Sequence, residues 1–361
     1  MQTNGLDLAF WRNRRVFITG HTGFMGSWLS LWLHQLGAEV AGYALSPPTQ
    51  PSLFDVLGLE NHMVSTIGDI QNLPQLRASM NEFAPDIVFH LAAQPIVSKG
   101  YIDPVGTFGT NIMGTVNLLQ SMRTAPSIKT ALIVTTDKVY ENQEWAWGYR
   151  ESDPLGGHEP YGASKACAEL AANAFRHSYF SEDEQVGIAT IRAGNIIGGG
   201  DWATNRIIPD AIRAFSNGNP LSIRNPAATR PWQHVLEPLR GYMQLAQSLH
   251  LDPENFDGPW NFGPSEEDSA PVSVVAEEMT TLWGGGASWN SAMAPADMEG
   301  TKESQRLTLS SSKAHEILGW RPVWGLQRAL SSTVAWYKAY LDRQNMVDFS
   351  LEQIALADGA N

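Results

Sequence analysis

Short apolar, β-branched runs alternate with longer stretches of helical periodicity through the first half of the chain. That alternation is the pattern of strands joined by crossover helices into a parallel sheet. Apolar runs at 15–19, 39–44, 64–68, 86–93, 130–136 and 187–192 predict six strands, and helical patterns cover 28–36, 72–83, 104–123 and 167–174. The run 86–93 is nearly all apolar, as a central strand covered on both faces requires. Together these elements predict an α/β, doubly wound parallel sheet of Rossmann type over residues 1–193. Beyond 193 the alternation stops and the chain becomes rich in Gly, Asn and Pro. Residues 194–361 are therefore expected to form a smaller mixed unit that binds substrate and returns some chain to the first. Helical patterns resume at 272–283, 311–318 and 326–341, and the tail from 342 carries no recognisable chemistry.

At 361 residues and 43% hydrophobic, the chain can bury a large core. A formal charge of -13 argues against nucleic acid or an acidic membrane surface as a partner, so any bound phosphate must be gripped locally. The single cysteine, Cys167, excludes an internal disulfide, fits a reducing compartment and reads as helix filler. Arg12, Arg14 and Arg15 precede an apolar run, 16–19, that is too short for a signal or membrane segment, so a cytoplasmic protein is expected. No His or Cys spacing suggests a metal. His234 reads as a structural hydrogen-bonding group in a short strand.

Two motifs carry chemistry. Between the first strand and the first helix lies Gly20-His21-Thr22-Gly23-Phe24-Met25-Gly26. In that setting glycines let the backbone approach a pyrophosphate, which sits at the helix N-terminus where free amides favour negative charge. The second motif is Tyr161-Gly162-Ala163-Ser164-Lys165, which sets a phenol and an ammonium one helical turn apart on the same face. A cation beside a phenol favours the phenolate and makes Tyr a usable base near neutral pH. Strand 130–136 delivers Thr136, Asp137 and Lys138 to the carboxyl edge of the sheet, where open parallel sheets bind ligands. An acidic residue that would hold the ribose hydroxyls of NAD is missing after Tyr43, and 45–48 offer no arginine for a 2′-phosphate. Asp69, at the tip of the third strand, reads from its position as a cap for the following helix.

The Gly-x-x-Gly-x-x-Gly spacing and the Tyr-x-x-x-Lys pair resemble the extended short-chain dehydrogenase/reductase family. Thr136-Asp137-Lys138-Val139-Tyr140, with 147–151, 192–202, 230–236 and 260–264, narrows the likeness to the nucleotide-sugar 4,6-dehydratases, in the branch acting on CDP-glucose. The resemblance covers nearly the whole chain. It implies NAD held by Gly20, Thr22, Gly23, Phe24, Met25, Gly26, Asp69, Ile70, Leu91, Ala92 and Ala93 together with Tyr161 and Lys165. It further implies that Tyr161 takes the proton of the 4-hydroxyl, Lys165 lowers the Tyr161 pKa and holds the nicotinamide ribose, Thr136 binds O4, and Asp137 protonates the departing 6-hydroxyl. Lys138 replaces a carboxylate of the dTDP-glucose relatives. It reads as the C5 base or a support for the enolate, with a salt bridge to Asp137 or Glu151 as the plain alternative. Asn195, the glycines 198–200, Arg206, Arg230 and Asn261 are expected around the nucleotide diphosphate, Arg206 equally as a surface ion pair. Trp202 and Trp232 are candidates for the base pocket or the core.

The resemblance also implies a homodimer, built by pairing the helices at 111–122 and 166–174 into a four-helix bundle, and possible tetramers. Rival readings are a nucleotide-sugar 4-epimerase or decarboxylase, neither of which needs the Asp137-Lys138 pair, and a dinucleotide-sensing regulator without turnover.

Overall fold

The computed structural model describes residues 6–180, 186–291 and 306–358. Its centre is a sheet of seven parallel strands. In chain order these are β1 (Arg15–Thr19), β2 (Glu39–Ala44), β3 (Val64–Ile67), β4 (Ile87–His90), β5 (Thr130–Val134), β6 (Gly187–Ala193) and β7 (Gly258–Phe262). Their spatial order is β7-β6-β5-β4-β1-β2-β3, every neighbouring pair parallel. The order reverses between β1 and β4, which opens a crevice at their carboxyl ends.

Successive residues of the inner strands point to opposite faces, so each strand feeds two cores. Val16, Ile18, Phe89 and Leu132 join one apolar cluster, while Phe17, Val88, Ala131 and Ile133 join the other. The first of these cores continues into the second half of the chain. Helix Leu236–Leu251 packs on β5 and β6, and β7 closes the sheet edge, so residues beyond 193 return to the parallel layer. The remainder forms short strand pairs, 196–197 with 233–234, 229–231 with 269–271 and 221–223 with 289–291. Helices Ile207–Ser216, Val272–Trp283 and Leu326–Leu341 surround them.

The expected strands are all present, but several helices differ. The segment expected at 167–174 extends over Pro160–Tyr179, because Glu159 caps it by accepting from the amides of Tyr161 and Gly162 and Pro160 suits its first turn. The pattern 104–123 is one helical run interrupted by a π segment, Gly109–Met113. Helix Met346–Ala357, unannounced by the sequence, is capped by Asn345 and held by Trp336 Nε1 donating to Ser350 Oγ at 2.9 Å. Among the described residues no helix is long and apolar enough to cross a membrane, and no cluster of side chains could hold a metal ion.

Candidate active site

The crevice begins at the glycine turn. Gly20 has φ +79, and a Cβ there would lie 2.7 Å from the Ala92 nitrogen. On Gly26 a Cβ would meet the Gly20 oxygen at 2.2 Å. The turn is therefore a cradle that side chains would fill. Gly23 caps helix Phe24–Gln35 without any side-chain acceptor, which leaves the Phe24, Met25 and Gly26 amides at a bare helix N-terminus. Thr22 Oγ1 donates to the Leu45 oxygen and ties the turn to the end of β2. On the other wall Leu91 and Ala92 hydrogen-bond through their amides to Thr19, and with Ala93 they are partly exposed toward the turn. These residues fit the pyrophosphate of a dinucleotide.

The structure narrows the roles of two expected cofactor contacts. Asp69 does not cap the following helix; Asn72 does, while Asp69 Oδ1 accepts from the Gln71 amide and stays exposed. The Ile70 side chain is buried against Gly114 in the core, so only its backbone remains for a ligand.

The catalytic candidates gather where β5 ends. Thr136 caps the short turn Asp137–Val139 and donates to Asp137 Oδ1 at 3.0 Å. The Tyr161 phenol lies beside Thr136, whose hydroxyl pulls the phenol's pKa down, so the three side chains adjoin one another. All are buried. Burial raises the Asp137 pKa above the usual carboxylate range, against the pull of Lys138, Thr136 and Arg230. Its second oxygen, Oδ2, has no hydrogen-bond partner. The space for this carboxyl is provided by Gly194, where a Cβ would lie 2.2 Å from Oδ2. Helix Pro160–Tyr179 approaches the same turn closely because Gly162 faces the Lys138 carbonyl, 2.7 Å from where its Cβ would be.

The expected action of Lys165 on Tyr161 is not met in this structure. The Lys165 ammonium donates to the Val134 oxygen at 2.8 Å, and burial lowers its pKa to about 8, opposed by Glu169. Tyr161 is pushed up to about 12 by burial, while Thr136 and the charge of Arg206 pull the other way. Lys138 is half-buried and lies near enough to Asp137 and Glu159 to pull both carboxyls down. Glu151 is engaged elsewhere, accepting from the Asn261 amide at 2.9 Å.

The substrate-side candidates divide. Arg230 is buried with its charge felt at Asp137, and Arg206 is felt at Tyr161 while pairing with Asp201 at 3.0 Å. Asn195 sits half-buried at φ 38 directly after Gly194. Asn261 is a correction: it is fully buried, with Oδ1 accepting from Tyr140 and Nδ2 donating to the Tyr149 and Ser310 oxygens. Fully buried, with both Nδ2 hydrogens engaged, it braces loops instead of facing a ligand. Residues 198–200 are likewise core. Gly199 lies against Trp336 and accepts from Trp28 Nε1 at 2.9 Å, so the glycines serve close packing. Trp202 packs on Trp336, Tyr337 and Tyr340, and Trp232 Nε1 donates to the Ala270 oxygen, which makes both structural. His234 is fully buried between Trp28 and Trp324, as expected of a structural group.

Sequence reasoning passed over three residues that shape this site. Gly194 stood in a quoted motif without a role. Asn111, in the π segment, exchanges two hydrogen bonds with the backbone of Gln94 and donates to Ser164 Oγ at 2.8 Å, joining the loop after β4 to the Tyr161 helix. Glu169, one turn beyond Lys165, was detectable by its i, i+4 spacing.

The family described as GDP-mannose 4,6 dehydratase matches residues 17–333. CDP-glucose 4,6-dehydratase of Salmonella typhimurium is 50% identical over 357 residues, which cover 97% of this chain and 98% of that protein. The dTDP-glucose 4,6-dehydratase of Streptomyces griseus is 27% identical over 89% of this chain and 93% of its own. Among solved structures, the dTDP-glucose 4,6-dehydratase of Streptomyces venezuelae with NAD bound superposes with a TM-score of 0.76 at 22% identity, covering 92% of this chain and 99% of that one. The UDP-glucose 4-epimerase of Thermotoga maritima gives 0.78 at 20% identity, covering 90% and 99%. These two low-identity likenesses speak for the fold, whereas the family match and the 50% relative span almost the whole chain. The chain belongs to the family described as GDP-mannose 4,6 dehydratase, within the extended short-chain dehydrogenase/reductases.

Proposed function

We propose that the protein is an NAD-dependent hydro-lyase that converts CDP-glucose to CDP-4-dehydro-6-deoxy-D-glucose. One observation carries the reading: a buried carboxyl, Asp137, hydrogen-bonded to Thr136 with Tyr161 beside it, in a chain half identical to a CDP-glucose 4,6-dehydratase. The C5 proton of glucose is not acidic until C4 is a ketone, so oxidation must precede loss of water. NAD, when bound, supplies this by accepting the hydride from C4 and returning it at C6, so no external reductant is consumed.

The side chains do the rest. Tyr161 takes the proton of the 4-hydroxyl, with Thr136 holding O4 and favouring the phenolate against burial. Asp137, kept protonated more readily by burial, donates to the departing C6 oxygen. Lys138 acts at C5, as the base when neutral or as a cation on the enolate, and Lys138→Ala should abolish exchange of the C5 hydrogen with solvent. Arg230 and Arg206 offer guanidinium forks for the diphosphate, beside Asn195. An epimerase expels no C6 oxygen and has no use for Asp137.

The test is mass spectrometry of products after incubation with NAD and, separately, CDP-, dTDP-, GDP- and UDP-glucose. Loss of one water from CDP-glucose alone is expected. Unchanged mass with a new C4 epimer would overturn the reading.

The protein also works as a homodimer in this proposal. Helix Pro160–Tyr179 and the helical segments packed beside it leave large apolar side chains in water: Ile102 is 79% exposed, Val105 82%, Met113 50% and Leu170 59%. Such a patch calls for a covering partner, and a second copy pairing its equivalent helices supplies one. Sedimentation at micromolar concentration should give a dimer, and a monomer would contradict this.

A further inference from the structure

Tyr161, Lys165 and Glu169 recur every four residues on helix Pro160–Tyr179, and all three are buried on the face turned to β5 and β6. Glu169 is held by four donors. Thr135 Oγ1 donates to Oε1 and Thr190 Oγ1 to Oε2, each at 2.6 Å, while Arg192 donates through Nε at 3.1 Å and Nη2 at 3.0 Å. Lys165 meanwhile donates to the Val134 oxygen. The helix is thus stapled to two successive residues, Val134 and Thr135, and the next two in the chain are Thr136 and Asp137. We propose that Glu169 is a positioning residue for the reaction, acting through Lys165 and through the β5 tip, with Lys165 as the group it holds ready for the cofactor ribose. This inference rests on the assignment of Lys165 to the NAD site.

The charges around Lys165 support the role. His90 approaches from β4, Glu169 and Tyr161 share its helix, and Arg192 of β6 is paired to Glu169 beyond it. The Glu169 carboxylate is therefore the anion that keeps Lys165 an ammonium against its burial. Arg192 extends the brace outward by donating to the Tyr140 hydroxyl at 2.9 Å, which in turn donates to Asn261 Oδ1. A carboxylate with every lone pair occupied is fixed in place, which suits a group that must set another group's position.

The experiment compares wild type with E169Q, E169D and the double variant E169Q/R192M. The double variant removes the guanidinium that E169Q alone would leave buried without its anion. Lys165 reactivity toward an amine-acylating reagent is followed against pH by peptide mass spectrometry, NAD affinity by calorimetry, and turnover of CDP-glucose in parallel. Both E169Q forms should bring the Lys165 labelling profile to lower pH by about one unit, the low end for loss of a nearby opposite charge. NAD binding should weaken on the alkaline side by the same factor, about tenfold, and E169D should restore part of both. Unchanged labelling of Lys165 in a double variant that still melts cooperatively would overturn the proposal, leaving Glu169 a packing partner of Arg192. Because labelling reads Lys165 directly, it stands even if CDP-glucose proves not to be the substrate.

Discussion

At the scale of single residues, Asp137 is where stability and chemistry pull in opposite directions. A carboxyl whose pKa is raised by burial binds its proton more tightly in the folded state than in the unfolded one, so its contribution to stability falls as pH rises through that interval. Asp137→Asn removes this cost while preserving shape. The variant should melt roughly 1–3 °C higher at neutral pH and lose dehydration by about 10²- to 10⁴-fold, still oxidising C4 and accumulating NADH absorbance in a single turnover. A melting temperature unchanged or lowered would mean that Asp137 is paid for by Lys138 and Arg230. Gly194→Ala probes the same carboxyl from outside. Its methyl would push Asp137 Oδ2, the end of a flexible side chain, so turnover should drop at least tenfold with thermal stability nearly kept. A parallel loss of both would place the strain in the backbone.

At the scale of elements, the site is made by close approaches between helix ends and strand ends. Helix Phe24–Gln35 comes within contact of the turn that starts it because Gly26 has no side chain, and helix Pro160–Tyr179 meets the Asp137 turn across Gly162. Gly26→Ala forces a methyl against the Gly20 oxygen and the His21 Cα, backbone atoms that cannot swing aside. Overpacking of this kind costs about 1–3 kcal/mol, and calorimetry should find NAD binding weakened far more than the loss in melting temperature would imply. Retention of wild-type affinity would remove the glycine turn from the cofactor site. Element boundaries were less legible than element identity. The strand periods are set by local burial, but the start of the Tyr161 helix depended on Glu159, a cap eight residues ahead of the apolar pattern that announced the helix.

At the scale of the whole molecule, three histidines are locked inside as neutral rings. Burial lowers His21 to about 4 and both His90 and His234 to about 3, from an ordinary 6.5. The unfolded chain takes up these protons below 6.5 and the folded chain refuses them, so stability is full above that pH and is lost as pH falls toward 4. Each ring adds about 1.4 kcal/mol per pH unit to that slope. Urea midpoints between pH 7 and 4.5 should fall steeply, and a flat profile would show that the rings protonate without unfolding. Sequence alone determined six of the seven sheet strands, the glycine turn and the local spacings that set Thr136 next to Asp137 and Tyr161 one turn from Lys165, because period, turn chemistry and motif spacing are local properties of the chain. Only the tertiary structure decided that Asn261 and the glycines at 198–200 are braces and packing surfaces, since their partners, Tyr140 and Trp336, lie more than a hundred residues away. It also decided the electrostatics. Whether Lys165 serves Tyr161 or the Val134 carbonyl, and which carboxylate faces it, depends on burial and on distances between strands and helices that no spacing along the chain records.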